Sequence, residues 1–425
     1  MKRPPLWLAA AYLASFWAAA YTLVSWAVLW LVRPIHEDVR MNYVAAEAGL
    51  RYGWSTIYDQ SVLRALSSGF PADAKIIDVQ KTFASAPLVA WLFGPLTVFS
   101  EPMAYLLWTG VSLAALVVAW YLAAPYTGLS KVALLLAALG LWPVLLTLFF
   151  GQPTLIVVAL VAASWWFCVR NQPIAGGAAL ALATFVKPQA VVLVPVALLV
   201  SGRLRPLLSW ALVCLALGVV TVLSLGMSGL AGWWHAIRMI QDLPVNREYT
   251  LVHLIGTGPL TYALWAVQGA TAVFVAWKRR SQLEIVFAVG ILGTVATATY
   301  FHQADYSILV LSAWLVLRTS PSLWHRWWLA IGILPMQLMT YGPGTTQPVL
   351  DVIYHGSQLV WDAGWLAFLL RDSVGFVVDA EDAQEEAGED GLHAEGEQDG
   401  RGEDLAHGQA RVQGAESPRA PTQHR

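Results

Sequence analysis

The chain has 425 residues, of which 57% are hydrophobic and only 12% are charged, and its mean hydropathy is +0.58. A soluble protein of this length cannot hide so much apolar surface in its core, so the composition excludes a soluble enzyme and predicts an all-α polytopic membrane protein. The formal net charge of -2 averages two different regions. From Asp372 onward there are 14 acidic residues and four Arg, so the part before Asp372 is net positive.

The first predicted element is an uncharged run over residues 6–32, which is long enough to span a bilayer and is not followed by a signal-peptide cleavage site. Cytoplasmic flanks are enriched in Lys and Arg, so Lys2 and Arg3 place the N-terminus in the cytoplasm. Residues 33–102 then form a long external loop. We interpret the apolar segment 86–99 as a juxtamembrane or re-entrant helix of this loop, because counting it as a span would place the basic clusters Arg203–Arg205 and Lys278–Arg280 outside.

With that choice the basic residues alternate with apolar runs as the positive-inside rule requires, and twelve spans result with both termini in the cytoplasm. After the first, the spans are predicted at 103–124, 132–149, 153–169, 173–186, 189–201, 207–227, 259–277, 283–300, 306–317, 324–341 and 348–370. A second long external loop is predicted at 228–257. Together these elements make a transmembrane domain over residues 1–371.

Residues 372–425 are acidic, rich in Gly and Gln and nearly free of aromatic residues, which predicts a disordered cytoplasmic tail. Cys168 and Cys214 both lie inside apolar runs, so we expect buried thiols and no disulfide. The chain has no phosphate-binding glycine loop, no dinucleotide fingerprint and no Cys/His cluster with metal spacing. We therefore expect no cofactor, no metal and no nucleic-acid partner, and substrates that are met at the membrane.

This topology brings most of the unusual polar residues to the external side. They are His36, Glu37, Asp38, Gln152, Lys187, His235, Arg238, Asp242, Arg247, His253, His302, Gln303, Asp305 and Tyr306. Polar groups at membrane depth are costly, so an outward-facing polar cavity is the economical explanation. The cytoplasmic loops carry mostly isolated basic residues, as orientation alone requires.

Five segments resemble glycosyltransferase family 87. They are "EDVRMNYVAAEAGLRYGWSTIYD" (37–59), "SAPLVAWLFGPLTVFSEPMAYLLW" (85–108), "FGQPTLIVVAL" (150–160), "AGGAALALATFVKPQAVVLVP" (175–195) and "FHQADYSILVL" (301–311). The resemblance extends over about residues 30–320, with one departure at Ser85–Pro87, where the family more often has a Tyr-Pro-Pro type segment. It implies a GT-C type enzyme, which takes a sugar, with mannose as the first expectation, from a polyprenyl-phosphate donor. The acceptor would be a glycolipid or lipid-linked envelope glycan at the outer face of a bacterial inner membrane.

The resemblance also assigns residue roles. An inverting transfer needs one carboxylate to accept the proton of the acceptor hydroxyl, and Asp38 matches the family's position for that base. Glu37 is the alternative base, and Arg40 is a neighbouring substrate-site residue. The competing interpretation of Asp38 is a solvated carboxylate after a helix end, or an ion-pair partner of Arg33 or Arg40.

The leaving polyprenyl phosphate calls for cations or hydrogen-bond donors. Lys187, beside Pro188 between two apolar spans, is a candidate, and an interfacial lysine with its ammonium in the headgroup layer is the alternative. His302 is a candidate donor to phosphate or sugar hydroxyls, or else a hydrogen-bonded interfacial histidine. Asp305 orients His302 or binds a sugar hydroxyl, or else caps the following helix.

Gln152, Arg247 and His253 complete the predicted substrate-binding set. The alternative for the two loop residues is charge that faces water. A transporter or flippase of lipid-linked sugars is the competing function, and it predicts internal symmetry and charges midway along spans, neither of which the sequence has.

Overall fold

The computed structural model describes residues 5–32, 37–68, 83–241, 243, 246–341 and 347–398. Within those residues it is all-α, with no strand, as the composition predicts. The chain divides into two units, Met1–Ser373 and Val374–Arg425. Its helices are α1 (Leu6–Val32), α2 (Glu37–Tyr52), α3 (Gln60–Ser67), α4 (Pro87–Phe93), α5 (Glu101–Ala123), α6 (Gly128–Leu139), α7 (Trp142–Phe150), α8 (Thr154–Val169), α9 (Pro173–Val186), α10 (Leu193–Val200), α11 (Leu204–Gln241), α12 (Leu251–Ile255), α13 (Pro259–Lys278), α14 (Leu283–Ala296), α15 (Leu309–Arg318), α16 (Leu323–Ile331), α17 (Ile333–Leu338) and α18 (Pro348–Gln398).

Among the described residues, four helices are long and apolar enough to cross a bilayer: α1, α5, α11 and α13. A fifth span arises if the bent pair α6 and α7 is counted as one. Other predicted spans are shorter apolar helices, such as α8, α9 and α14. The structure thus agrees with a polytopic membrane protein, whereas the predicted number of twelve spans is not confirmed.

The predicted third span, 132–149, is two helices that meet at an angle of 60°. The break lies at Gly140 and Leu141, just before Pro143 in the first turn of α7. A side chain at Gly140 would overlap α1, because an added Cβ would lie 2.5 Å from the Cβ of Ala18. The predicted span 324–341 is likewise divided into α16, α17 and a short 3-10 turn.

Most of the predicted first external loop is helical. It contains α2, the 3-10 turn Trp54–Thr56, α3 and α4. Its core includes Val44, Ala45, Ala48 and Ile57, all fully buried, so small side chains let these short helices pack closely. The apolar segment 86–99, predicted as a short helix separate from the spans, forms α4 and the 3-10 turn that follows it.

The predicted second external loop begins inside a helix, because α11 extends to Gln241. Gly226 adopts φ +61° and ψ -175°, which divides α11 into a long apolar part and a C-terminal part. The C-terminal part packs on the first external loop: the ring of Trp233 stacks on Tyr58 with centroids 6.0 Å apart. The two segments predicted as external loops are therefore in contact, and their side of the membrane stays a prediction.

α14 is the central helix of the Met1–Ser373 unit and contacts α8, α10, α13 and α15. Nearly all of its residues are buried. Close approach depends on small residues, since a Cβ at Gly293 would lie 2.6 Å from the Cβ of Ala272 in α13. The loop that follows α14 carries the predicted residues His302 and Asp305, so this rigid helix fixes one side of the site.

In the Val374–Arg425 unit, α18 continues to Gln398, where the sequence predicts disorder. Ala, Glu and Gln are frequent in this stretch and favour helix through their intrinsic propensities. Residues 399–425 of the predicted tail lie outside the described residues. Cys168 and Cys214 are both free cysteines of intermediate exposure, so the predicted full burial of the two thiols is not found.

Candidate active site

Asp38, in the first turn of α2, is hydrogen-bonded to the segment that joins α7 and α8. The amide Nε2 of Gln152 donates to Asp38 Oδ2. Gly151 makes this approach possible: it has a left-handed backbone, with φ +67°, and an added Cβ would lie 2.0 Å from Cγ2 of Val39. Trp108 fixes the same turn by donating from Nε1 to the Gly151 carbonyl at 2.8 Å. The sequence "FGQP" is thus a turn that carries Gln152 to the carboxylate.

Lys187 caps the C-terminus of α9, and Pro188 prevents the helix from continuing. Its ammonium donates to Gln152 Oε1 at 2.5 Å and to Thr154 Oγ1 at 2.9 Å, and it forms an ion pair with Asp305 Oδ1. An ammonium has three donors and no acceptor, so these three oxygens use its full capacity. Lys187 also determines the orientation of the Gln152 amide, because only Oε1 can accept from it and Nε2 is then directed to Asp38.

Asp305 and His302 lie at the start of the 3-10 turn Gln303–Ile308. Asp305 Oδ2 accepts the main-chain N–H of His302 at 3.1 Å, and Oδ1 accepts from Thr154 Oγ1 at 3.3 Å. His302 Nε2 lies 2.9 Å from the hydroxyl of Tyr300. Burial lowers the pKa of His302, and Lys187 acts in the same direction while Asp305 opposes it. A neutral imidazole at physiological pH follows.

The network has a buried base and a partly exposed rim. Lys187 is 5% exposed and Asp305 is fully buried, whereas Asp38, Gln152 and His302 are of intermediate exposure. An ion pair in this position holds the turns in place, and the rim presents a carboxylate, an amide and an imidazole to a ligand. Such a set can accept a proton and donate hydrogen bonds, which is the requirement of a group transfer with a hydroxyl nucleophile.

The structure places other predicted residues elsewhere. Arg40 is 1% exposed and its Nε lies 2.6 Å from Glu101 Oε1, which joins α2 to α5. Arg247 donates from Nε to the Gln241 carbonyl at 2.8 Å, and His253 Nε2 lies 3.0 Å from Asp351 Oδ2. Their predicted roles toward substrate stay predictions.

Some of the predicted residues lie outside the described residues: Arg33, His36 and Asp242, together with the side chain of Glu37. The alternative base Glu37 therefore stays a prediction. Glu37 is the first residue of α2, and its backbone immediately precedes that of Asp38.

Sequence reasoning missed Thr154 and Glu101. Thr154 follows Gln152 by two residues, but threonine in the first turn of an apolar helix is ordinary and gives no signal. Glu101 carried a usable signal, because it is an isolated carboxylate between apolar runs and must find a cation when buried.

The fold and the site define a polytopic membrane protein with a polar network assembled from α2, the α7–α8 turn, the end of α9 and the α14–α15 loop. The family model for glycosyltransferase family 87 matches residues 83–299, about half of the chain, and the chain belongs to this family. The protein is therefore a membrane glycosyltransferase. Comparison with curated proteins and with solved structures found no significant match. The matched region contains Gln152 and Lys187, whereas Asp38, His302 and Asp305 lie outside it.

Proposed function

We propose that the protein transfers a sugar, with mannose as the first candidate, from a polyprenyl-phosphate donor to a lipid-linked or envelope glycan acceptor. The reaction takes place at the extracytoplasmic face of a bacterial inner membrane, with both termini in the cytoplasm. The observation that carries the proposal is the bridge made by Gln152, which joins Asp38 to the buried Lys187–Asp305 pair. Four separate chain segments meet there around one partly exposed carboxylate.

Asp38 is the general base of an inverting single displacement. The acceptor oxygen bonds to the anomeric carbon as its proton passes to Asp38, and the bond from that carbon to the phosphate oxygen breaks. The electron pair leaves with the polyprenyl phosphate, in an oxocarbenium-like transition state. The amide hydrogen bond from Gln152 fixes the direction of the carboxylate.

Lys187 and Asp305 are positioning residues in this proposal. All three ammonium donors of Lys187 are directed at protein oxygens, so its effect on the reaction passes through Gln152. Asp305 holds the loop that presents His302. His302, at the rim, is the group that donates a hydrogen bond to the donor phosphate or to a sugar hydroxyl.

A groove of about 220 Å³ lies between α1, α7 and α17. Trp142 lines this groove and donates from Nε1 to Gln303 Oε1 at 2.9 Å. Gln303 follows His302 directly in the chain. We propose that the hydrocarbon chain of the donor lies along this groove, which Trp142 connects to the loop that carries His302.

The test is transfer from radiolabelled polyprenyl-phosphate-mannose to a lipid extract by the purified protein in nanodiscs. We expect a labelled glycolipid, and a loss of about 100-fold or more in Asp38→Asn, the range for a general base. Glu47→Gln is the matched control, since Glu47 is a carboxylate on the same helix that pairs with Arg51 on the next turn.

Three results overturn the proposal. They are transfer from a nucleotide sugar alone, movement of labelled lipid across the bilayer without sugar transfer, and full activity in Asp38→Asn.

A further inference from the structure

A second cluster of ionisable side chains lies beside the candidate active site and takes no part in it. His253 belongs to α12, Glu248 precedes that helix, and Asp351 and His355 occupy successive turns of α18. His253 Nε2 lies 3.0 Å from Asp351 Oδ2, and His355 Nδ1 lies 2.9 Å from Asp351 Oδ1. One ligand atom from each of His253, Asp351 and His355 lies within 4.8 Å of the others.

One ring nitrogen of His355, Nε2, has a lone pair that accepts no hydrogen bond from the described residues. Its Nδ1 lies 3.0 Å from the main-chain carbonyl of Asp351, which only accepts, so Nδ1 carries the proton of the neutral ring. Nε2 then bears the lone pair. His355 is 2% exposed and Nε2 has no hydrogen-bond partner, while Glu248 Oε2 lies 3.9 Å away. Two acceptor atoms face each other, an arrangement that a cation between them stabilises.

Two of the ligand separations are close to those of a tetrahedral metal site. Ligand atoms about 2.1 Å from a tetrahedral ion lie about 3.4 Å from one another. The distances from His253 to Asp351 and from His355 to Glu248, 3.0 and 3.9 Å, bracket that value. The Nδ1 contact of His355 with the Asp351 carbonyl is also how metal-binding histidines are commonly oriented.

We propose that Glu248, His253, Asp351 and His355 bind one divalent transition-metal ion, with Zn²⁺ as the expected ion. Two imidazoles and two carboxylates are a borderline ligand set that suits Zn²⁺ better than Ca²⁺ or Mg²⁺, which prefer oxygen alone. The side chains of His253 and Asp351 are 26% and 29% exposed, so the ion enters from the rim, and His355 closes the inner side.

The ion holds neighbouring loops in position and takes no part in the transfer step. Tyr249, next to Glu248, accepts from Gln303 Nε2 through its hydroxyl at 2.8 Å, and its carbonyl accepts from the Tyr306 hydroxyl at 3.2 Å. Its ring also contacts that of His355, with centroids 4.7 Å apart. The ion therefore ties the loop that holds Gln303, the neighbour of His302, to the first turns of α18.

The experiment uses the full-length protein in nanodiscs, stripped with EDTA and then titrated with Zn²⁺, with bound metal measured by mass spectrometry. We expect one equivalent per chain, and a loss of about 100-fold or more in affinity in His253→Gln and in Asp351→Asn. The matched control is His325→Gln, which removes the histidine of a similar pair, His325 Nδ1 to Asp372 Oδ2 at 2.9 Å, and should leave Zn²⁺ binding unchanged.

Co²⁺ titration supplies a second measurement that does not depend on the variants. A tetrahedral site gives strong visible d–d absorption, which Zn²⁺ should abolish by competition. Absence of a stoichiometric ion in the wild type, equal binding by wild type and Asp351→Asn, or equal loss in His325→Gln would each overturn the proposal in favour of a hydrogen-bonded cluster without metal. None of these results bears on sugar transfer, which the Asp38 variants test separately.

Discussion

Removal of either partner of the Lys187–Asp305 ion pair should destabilise the fold strongly. Lys187→Met leaves the fully buried Asp305 carboxylate with only Thr154 and the His302 N–H as donors. Breaking a buried pair from one side costs about 3–5 kcal/mol in the free energy of unfolding, because a buried charge is left uncompensated. We expect a loss of that size for Lys187→Met and for Asp305→Leu separately.

The double variant Lys187→Met/Asp305→Leu separates stability from catalysis. It buries no unpaired charge, so its loss should be far smaller than the sum of the two single losses, with a coupling energy of about 3 kcal/mol. Its transfer rate should stay low, since Gln152 Oε1 no longer receives the hydrogen bond that directs the amide to Asp38.

The assay is SDS titration in mixed micelles, followed by fluorescence of the 22 tryptophans. Lys131→Met is the control, because Lys131 Nζ makes only an exposed hydrogen bond to the Tyr121 carbonyl and cation–π contacts with Trp120 and Tyr121 among the described residues, and its change should stay within about 1 kcal/mol. Additive losses of Lys187→Met and Asp305→Leu, or full activity in the double variant, would refute this account of the network.

Three further variants test neighbouring parts of the site. Gly151→Ala should lower the free energy of unfolding in SDS titration by about 2–4 kcal/mol, because strain of the left-handed backbone adds to overlap with Val39. Adding Val39→Ala should recover only the part of the loss that comes from overlap. Equal stability of Gly151→Ala and wild type would contradict this. Arg40→Met should lose about 3–5 kcal/mol through the unpaired Glu101, with transfer per folded molecule retained; a raised KM at wild-type stability would instead favour a substrate contact. Burial holds the pKa of His302 below about 6.5, the value in the unfolded chain, so the unfolded state binds the proton first and stability falls as pH drops below that value. His302→Gln should remove this part of the pH dependence of Tm, and an unchanged slope would contradict it.

The sequence predicted part of the polar network, but it also predicted Arg40, Arg247 and His253 as site residues, and the structure gives these three other partners. Alternating basic loops placed Asp38, Gln152, Lys187, His302 and Asp305 on one side, and the structure brings these five into one network. Topology assigns a residue to a side of the membrane, but hydrogen-bond partners depend on side-chain geometry. The role of Gln152 as the bridge, and the full use of the three donors of Lys187, therefore became visible only in the structure.

The helix breaks were also beyond the sequence. A hydropathy window reads 132–149 as one span, and it does not show the bend at Gly140 or the close approach of Gly140 to Ala18 in α1. The continuation of α11 to Gln241 lies beyond the predicted span, and its C-terminal part packs through Trp233 on Tyr58. Local composition does not record such long-range contacts.

The role of Asp38 as the base is tested by a single-turnover measurement on Asp38→Asn loaded with polyprenyl-phosphate-mannose. The amide retains the size of the carboxylate but cannot accept the acceptor proton, so we predict donor affinity within about threefold of wild type and a transfer rate lowered by about 100-fold or more. Wild-type transfer rate in the donor-loaded Asp38→Asn protein would contradict the assignment of Asp38 as the base.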